Sequence, residues 1–358
     1  MIKQNKGEWS ELYVFLKLLG DGVLYAADAD LNKKEDLYYP LIEILRKENE
    51  QIKHYKKEDV NIKVVDDSKN VLLELPAAEF ERKSKILLKA IKESDSTFAV
   101  PDIESFMEII KCTKVKADSN DKSDITLILH DRKTLRDDIF GFSIKSRLGS
   151  ASTLLNPGNT TNFIYEISGT LSDQNIDEIN NINTTSKIKD RLKKIVDLGC
   201  QLKFTKLEND NFNTNLQMID SMFPLIASEY LYQRYTGDES SIKDITTKVT
   251  NSNPCNFNIT SSQNLYEYKI KSFLTSIALG MTPSKNWDGK FQATGGYIIV
   301  REDGEVLCYH IYNHNEFQDY LFKNTRIETP STTRYGFGSI YKENNKNFIK
   351  LNLQIRFI

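Results

Sequence analysis

The stretch from residue 122 to residue 147, KSDITLILHDRKTLRDDIFGFSIKSR, restricts the fold of this chain more than any other. Its residues 125–130 and 139–146 are apolar-rich runs of strand length, and the polar, charged segment 131–138 joins them. Two such runs with a short polar connection predict an antiparallel β-hairpin. The position of the turn then decides which side chains of the two strands face each other.

The hairpin brings an acid and a lysine to one end of the predicted sheet. With the turn at residues 134–135, Asp124 lies opposite the region from Ser143 to Lys145. Ser143 and Lys145 are two residues apart and share a face, whereas Ile144 points the other way. A carboxylate beside an ammonium suits phosphodiester hydrolysis, because the carboxylate can hold a divalent cation and the lysine can position water or offset charge on phosphorus. An ordinary cross-strand ion pair is the alternative.

The N-terminal segment offers a further acid on an apolar helix. Residues 8–19, EWSELYVFLKLL, have the apolar spacing of a mostly buried helix that ends at a glycine. Glu11 lies in line with Phe15 and Leu18, where a carboxylate costs free energy unless it is paired or binds a cation. Glu8 is the competing acid, and its place in the first turn is explained by a favourable interaction with the helix dipole.

The remaining pattern predicts a mixed α/β (α+β) chain. Strands are expected over residues 22–27, 61–65, 71–74, 163–167, 295–300, 305–312, 338–342 and 348–357. Helices are expected over residues 38–49, 77–94, 103–110, 173–202, 216–235 and 265–279. Polar composition predicts a bridge at residues 116–122 and a linker at residues 246–262. The chain is expected to divide into residues 1–170 with the hairpin, a mainly helical part at 171–280, and a β-rich part at 281–358.

Two polar loops carry candidate DNA-binding side chains. The loop after the hairpin offers Arg147, Ser150, Ser152 and Asn156, and residues 325–338 offer Arg326, Thr332, Thr333 and Arg334. Such side chains suit contacts with phosphates and base edges, and arginine can grip guanine O6 and N7 with two hydrogen bonds. A basic cluster on the helix expected near residue 190 is a candidate surface for the DNA backbone. Plain connecting loops and a solvated helix face are the alternatives.

Charge and composition exclude several classes of protein. The formal net charge is −2, with 48 basic and 50 acidic residues, so any DNA contact must come from local clusters rather than a general basic coat. No apolar run approaches the roughly 20 residues of a membrane span, and the N-terminus lacks a secretory signal; we expect a cytoplasmic protein without membrane partners. The four cysteines form no CxxC pair, and structural roles are expected for Cys308, His310 and His314.

The acids and the lysine together resemble a PD-(D/E)xK nuclease core. In that superfamily a helix glutamate, an aspartate at the start of a strand and a (D/E)xK strand converge. Here the matching positions are Glu11, Asp124 and Ser143-Ile144-Lys145. The resemblance implies a mixed central sheet flanked by helices. Ser143 departs from the pattern, because an acid is expected there, and Asp138 or Asp131 are the candidates to replace the missing ligand.

Longer stretches resemble type II restriction endonucleases of the HpaII kind. They are KGEWSELYVFLKLL, KSDITLIL with GFSIKSRLGSASTLLN, TRIETPSTTRYGFGS and KLNLQIRF, and they extend over residues 6–357. The resemblance implies Mg²⁺-dependent cleavage of double-stranded DNA at 5′-CCGG-3′ in a bacterium, with a DNA methyltransferase of the same specificity as the functional partner. It implies a Mg²⁺ held by Asp124, Glu11 and the Ile144 carbonyl, and a water oriented by Lys145. Ser143 is expected to support this site by hydrogen bonding.

Three readings of the function stay open from the sequence. The first is the restriction endonuclease, for which a palindromic target favours a homodimer, with a monomer acting on each strand in turn as the alternative. The second is a DNA-binding protein without enzymatic activity, in which the acids form only structural ion pairs. The third is a repair nuclease on the same core.

Overall fold

The computed structural model describes residues 1–48, 51–116, 123–259 and 263–358. Its helices are α1 (Lys6–Asp21), α2 (Ala77–Glu93), α3 (Pro101–Ile109), α4 (Asp173–Asn180), α5 (Lys187–Asp197), α6 (Asp210–Ile219), α7 (Phe223–Thr236), α8 (Ile242–Ser252), α9 (Leu265–Leu279) and α10 (His314–Lys323). Short 3₁₀ helices cover Asn159–Thr161 and Ile311–Asn313.

The strands of the described residues complete a mixed α/β protein, as predicted. They are β1 (Val23–Ala27), β2 (Lys33–Glu48), β3 (Gln51–Glu58), β4 (Asn61–Val65), β5 (Val71–Pro76), β6 (Ile125–Asp131), β7 (Arg136–Ser146), β8 (Thr153–Leu155), β9 (Asn162–Ser168), β10 (Gln201–Leu207), β11 (Gly296–Val300), β12 (Val306–His310), β13 (Thr325–Ile327), β14 (Ile340–Glu343), β15 (Lys346–Asn352) and β16 (Ile355–Phe357).

The described residues form two compact units, each built from two stretches of chain. Unit 1 contains Met1–Ser152 and Phe291–Tyr320, and unit 2 contains Thr153–Lys290 and Leu321–Ile358. These boundaries differ from the three-part division that the sequence suggested. The difference arises because β11 and β12, expected in a C-terminal part, pair with strands of unit 1.

Unit 1 holds, within the described residues, a nine-stranded sheet in the order β1-β12-β11-β7-β6-β2-β3-β4-β5. The pairs β7–β11 and β1–β12 are parallel, and the others are antiparallel. The long strand β2 pairs with β1 near Tyr39 and with β6 near Ile44. The pairings β1-β12-β11-β7-β6-β2 therefore close on themselves, and we call these six strands the strand ring.

The predicted hairpin is confirmed, with its turn centred one residue earlier than expected, between Lys133 and Thr134. β6 and β7 are antiparallel with Ile125 opposite Phe142, and Asp124 N donates to Phe142 O at 2.8 Å. Buried and half-buried side chains alternate along β6, because successive residues of a strand point to opposite faces. This register places Asp124 opposite Ser143, inside the predicted region, whereas a turn centred on residues 134–135 would place it opposite Lys145.

The N-terminal helix is also confirmed, and local hydrogen bonds fix both of its ends. Asn5 Oδ1 accepts from Glu8 N, and the Glu8 carboxylate accepts from Asn5 N, both at 3.0 Å, which forms a capping box. Gly22 ends the helix with φ 70°, a left-handed conformation that glycine adopts without a steric penalty. Phe15 and Leu16 are fully buried in the core that α1 shares with the sheet.

The helix expected at residues 38–49 is wrong. Tyr38 to Glu48 belong to β2, where strands on both sides supply hydrogen-bond partners, while residues 49 and 50 lie outside the described ranges. The apolar residues of this stretch fit a helical period because the strand does not alternate regularly. A register irregularity between Leu41 and Glu43 shifts which side chains face the core. β3 was not predicted.

Unit 2 contains two smaller antiparallel sheets, β10-β9-β15-β14 and β13-β16-β8, together with α4 to α9. The helix expected at 173–202 is two helices followed by β10. The helix expected at 216–235 is interrupted after Ile219 and restarts at Phe223, where Pro224 suits the first turn. The linker expected at residues 246–262 begins inside α8, which extends to Ser252. Its residues 260–262 lie outside the described ranges. Residues 117–122 of the expected bridge lie outside them as well.

The imidazole of His310 makes unit 1 sensitive to acid. His310 is fully buried at the end of β12, where its ring stacks on Tyr39 with centroids 4.7 Å apart and its Nδ1 accepts from Tyr312 N at 3.2 Å. Burial lowers the pKa of His310 from 6.5 to about 4, although the nearby Asp131 carboxylate opposes the shift.

We expect the free energy of unfolding to fall by about 3 kcal/mol as the pH decreases from 6.5 towards 4. In this range His310 is protonated in the unfolded chain and stays neutral in the folded protein. The contribution is fully present above pH 6.5. Chemical denaturation at several pH values measures it, and His310→Phe should remove this part of the slope. An unchanged slope in that variant would contradict the assignment.

Candidate active site

Asp124, Ser143, Ile144 and Lys145 meet where β6 begins and β7 approaches its end, and we call this place the hairpin mouth. Asp124 Oδ2 accepts from Ser143 Oγ at 3.0 Å and from Ile144 N at 2.6 Å. These two bonds fix the orientation of the half-buried carboxylate. The sequence predicted Asp124 opposite the region from Ser143 to Lys145, and the structure places it opposite Ser143.

The Ile144 carbonyl lies on the same side of β7 as Asp124. In an extended strand the N–H and C=O of one residue point to the same side, and Ile144 N donates to the Asp124 carboxylate. The neighbouring Arg147 N donates to Val300 O of β11, on the opposite edge. The carbonyl oxygen and the carboxylate therefore face the same region beside β6.

Lys145 shares a face of β7 with Ser143 and contacts the strand on the other side. Its Nζ lies 5.7 Å from the centre of the Tyr297 ring, and Tyr297 is the register partner of Ser143 in β11. Tyr297 is buried, and burial together with the negative charge of Asp124 raises the pKa of its hydroxyl. Carboxylate, serine, lysine and tyrosine thus occupy one face of three adjacent strands.

A glycine permits the close approach of the chain that leads into β6. A Cβ on Gly141 would lie 2.3 Å from Ser123 Oγ, which is closer than real atoms approach. Ser123 Oγ instead passes over this position and donates to Gln292 O at 3.1 Å. Gly141 thus allows Ser123, the residue before Asp124, to lie against β7.

Glu11 lies on α1, which joins the core formed by Phe142 and Ile144. Ser143 and Lys145 point to the other face of β7. The helix nevertheless approaches the end of this strand, since Ser10 Oγ and Ser146 Oγ are 2.8 Å apart. The carboxylates of Glu8 and Glu11 raise the pKa of Lys116, mainly through the hydrogen bond from Lys116 to Glu8. A role for Glu11 as a metal ligand stays a prediction.

The two acids considered as substitutes for Ser143 lie away from the hairpin mouth. Asp138 pairs with Leu129 and is five residues before Ser143, roughly 16 Å along the strand. Asp131 Oδ1 accepts from Lys133 N at 2.7 Å and from Thr134 N at 3.3 Å, so it stabilises the hairpin turn. Among the described residues no three His, Cys, Asp or Glu side chains form a group suited to a metal ion.

The candidate DNA-binding residues of unit 1 differ in exposure. Ser150 is exposed, and Ser152 is half-buried with its Oγ 3.4 Å from Ser146 O. Arg147 is half-buried, and its guanidinium forms a hydrogen bond with the Tyr320 hydroxyl. Arg147 therefore contributes to the packing of unit 1, and Ser150 is the more accessible of these side chains.

The candidate DNA-binding residues of unit 2 also divide into accessible and engaged side chains. Asn156, Thr333 and Arg334 are exposed, whereas Thr332 is half-buried. Arg326 lies in β13, and its Nη2 is 3.4 Å from Glu328 Oε2. Arg334 is thus the arginine of this loop that is presented to solvent.

The basic cluster on α5 contains one arginine that has a structural role. Arg191 is 7% exposed, and its guanidinium donates to the carbonyls of Asn180, Ile182 and Gly338. It is therefore not available to a DNA backbone. The other basic side chains of the cluster are Lys187, Lys189, Lys193 and Lys194, of which Lys189 is 3.2 Å from Asp238.

Sequence reasoning missed Tyr297 at this site. The strand was expected, but its pairing with β7 is parallel and joins positions more than 150 residues apart, as in Tyr297 with Ser143. The available signal was the apolar run at residues 296–300, which is buried at every position and indicates an inner strand.

We expect Ser143→Ala to reduce cleavage by about tenfold, because one of the two hydrogen bonds that orient the Asp124 carboxylate is lost while the charge remains. The cleavage rate under single-turnover conditions measures the loss. Ser105→Ala serves as a matched control, since this exposed serine of α3 donates to Pro101 O and has no proposed part in the site. A rate equal to that of the unchanged protein would show that Ser143 does not support the site.

A carboxylate and a lysine on one face at the end of paired strands suit an enzyme that hydrolyses phosphodiester bonds. The comparisons with known proteins agree with this class. A family model described as HpaII restriction endonuclease matches residues 5–357. The type II restriction enzyme HpaII of Haemophilus parainfluenzae is 42% identical over 356 residues, which cover 99% of this chain and 98% of the relative.

The chain therefore belongs to the HpaII restriction endonuclease family. It is a type II restriction endonuclease, a site-specific deoxyribonuclease. The comparison with solved structures found no significant match. None of the helices in the described ranges has the length and apolar character needed to cross a membrane.

Proposed function

We propose that this enzyme cleaves double-stranded DNA at 5′-CCGG-3′ and that the hairpin mouth is its active site on a PD-(D/E)xK nuclease core. The observation that carries the site is the fixed Asp124 carboxylate, held by Ser143 and Ile144 N on the strand that also carries Lys145. The target sequence follows from family membership and not from the geometry.

The donors at the hairpin mouth fit a magnesium ion. Mg²⁺ prefers oxygen ligands and is usually held by one or two carboxylates together with waters and substrate phosphates. Asp124 and the Ile144 carbonyl supply two such oxygens on one side of β7, and Glu11 is proposed as a further ligand. When bound, the ion would polarise the scissile phosphate and favour hydroxide over water.

The protein side chains prepare the remaining steps. Lys145 Nζ, on the same face as Asp124, orients the attacking water and offsets negative charge at the phosphate. Ser143 holds the carboxylate in place and stands where related nucleases have an acid. With Ser143 in this position, the hairpin mouth carries one carboxylate from its two strands, which favours a site that relies on substrate oxygens as additional ligands.

Polar and basic side chains of each unit are candidates for DNA contacts. We propose base and phosphate contacts by Ser150, Ser152, Asn156, Thr332, Thr333 and Arg334, with lesser contributions from Arg147 and Arg326, whose guanidiniums are already bonded. The lysines of α5 are proposed to contact the DNA backbone. A homodimer fits a palindromic target. A methyltransferase of the same specificity would protect host DNA in the bacterial cytoplasm.

Digestion of a sequenced plasmid with Mg²⁺, followed by sequencing of the fragment ends, tests the proposed target. We expect discrete fragments with all ends inside CCGG, and no cutting when these sites are methylated. Cutting only at mismatches or flaps would instead favour a repair nuclease. Discrete ends at another short sequence would reject CCGG and leave the active-site assignment intact.

A further inference from the structure

A half-open cavity of about 560 Å³ lies at the end of the strand ring where the β6–β7 turn is formed. Its lining includes three tyrosines, Tyr38, Tyr39 and Tyr312, and two basic side chains of the turn, Arg132 and Lys133. All of these residues belong to unit 1. The cavity is separate from the hairpin mouth, because Asp124 and Asp131 stand at opposite ends of β6, roughly 23 Å apart.

Two of the tyrosine rings are held in place because they pack against the buried ring of His310. The buried ring of His310 stacks on Tyr39 and lies 4.4 Å from the Tyr312 ring. Tyr312 is nevertheless 53% exposed, so one side of its ring faces the solvent of the cavity. An exposed aromatic ring that is held in place is a surface on which another planar group can stack.

The basic residues lie where an anionic group could be neutralised. The Arg132 guanidinium lies 4.5 Å from the centre of the Tyr38 ring, an arrangement that keeps it at the cavity. Lys133 follows in the same exposed turn. Two acids, Asp36 and Asp131, also line the cavity. Asp131 Oδ1 accepts from backbone N–H groups of the turn, and Asp36 is exposed to solvent, which screens its charge.

We propose that this cavity binds an unstacked nucleobase together with its phosphate, with the base against Tyr312 and the phosphate near Arg132 and Lys133. Aromatic rings beside cationic side chains bind single-stranded nucleic acid in this way, because every base has a stacking face and every nucleotide a negative charge. The volume lies within the range of small-ligand pockets. The source of the base is either a free nucleotide or a DNA strand that extends beyond the cleavage site.

Binding measured in EDTA tests the proposal independently of cleavage and of the proposed target. The probes are dAMP and a short fluorescent single strand that lacks CCGG. Tyr312→Leu and Arg132→Gln should each weaken binding by about tenfold, since one stacking or charge contact is lost. Tyr268→Leu is the matched control, because Tyr268 is 70% exposed in unit 2 and lies outside the cavity.

The two probes distinguish the sources. Saturable dAMP binding that Tyr312→Leu weakens identifies a free nucleotide, and binding of the strand alone identifies a base presented by DNA. A strand carrying 5-iodouracil should cross-link to a tyrosine of the cavity. Binding that is equal in Tyr312→Leu and Tyr268→Leu, no saturable binding of either probe, or cross-links only elsewhere would overturn the proposal. Thermal unfolding of each variant checks that it is folded.

Discussion

Lys145→Ala is expected to slow cleavage of a CCGG duplex by about 10²- to 10³-fold while leaving the affinity for that duplex nearly unchanged. The ammonium of Lys145 is on the face of β7 that carries Ser143, the residue whose hydroxyl donates to the Asp124 carboxylate. Its contribution grows as negative charge develops on the phosphate, so its loss reduces the rate more than the binding. Single-turnover cleavage and gel retardation in EDTA measure the two quantities.

Two further variants separate the role of this lysine from general charge effects. Lys145→Arg keeps the charge and should recover part of the lost rate, although the planar guanidinium is a different donor. Lys89→Ala removes a lysine that is 76% exposed on α2 and should cleave normally. Cleavage by Lys145→Ala at the rate of Lys89→Ala would reject Lys145 as a catalytic residue.

Asp124→Asn is expected to reduce cleavage by about 10³-fold and to raise the Mg²⁺ concentration needed for the remaining activity, because an amide is a weaker ligand than a carboxylate. The asparagine oxygen can still accept from Ser143 Oγ and Ile144 N, so the hairpin should stay folded. The measurement is the cleavage rate as a function of Mg²⁺ concentration, with circular dichroism as the check of folding.

The matched control for Asp124 is an acid of the same hairpin. Asp138→Asn changes the same chemical group near the turn, roughly 16 Å along β7 from Ser143, and should leave the Mg²⁺ dependence unchanged. If Asp138→Asn raised the Mg²⁺ requirement and Asp124→Asn did not, the assignment of the metal ligand would be wrong.

Local patterns in the sequence predicted the part of the site that one hairpin forms. Two apolar-rich runs and their short polar connection predicted the hairpin, and the hairpin brings Asp124 to Ser143, at one end of the expected region. The glycine that ends α1 is likewise a local signal. Each of these predictions depends on residues that are close together in the chain, so no knowledge of distant partners was needed.

Features that depend on distant partners could not be predicted. The segment that became β2 has a helical apolar period, and only its pairing with β1, β3 and β6 makes it a strand. Tyr297 reaches the hairpin mouth through a parallel pairing with β7. Arg191 looks like a surface charge in the sequence, but its guanidinium donates to carbonyls of two separate segments of unit 2, residues 180–182 and Gly338.

The cleavage rate of the double variant Asp124→Asn, Lys145→Ala tests most directly whether these residues act together at one phosphate. Groups that act as a unit lose their effect together, so the account predicts a double variant about as slow as the slower single variant. The rate is measured on a CCGG duplex in a single turnover with saturating enzyme and Mg²⁺. A double variant slowed by the product of the two single losses would mean that the residues act independently, and single variants that both cut normally would place the active site elsewhere.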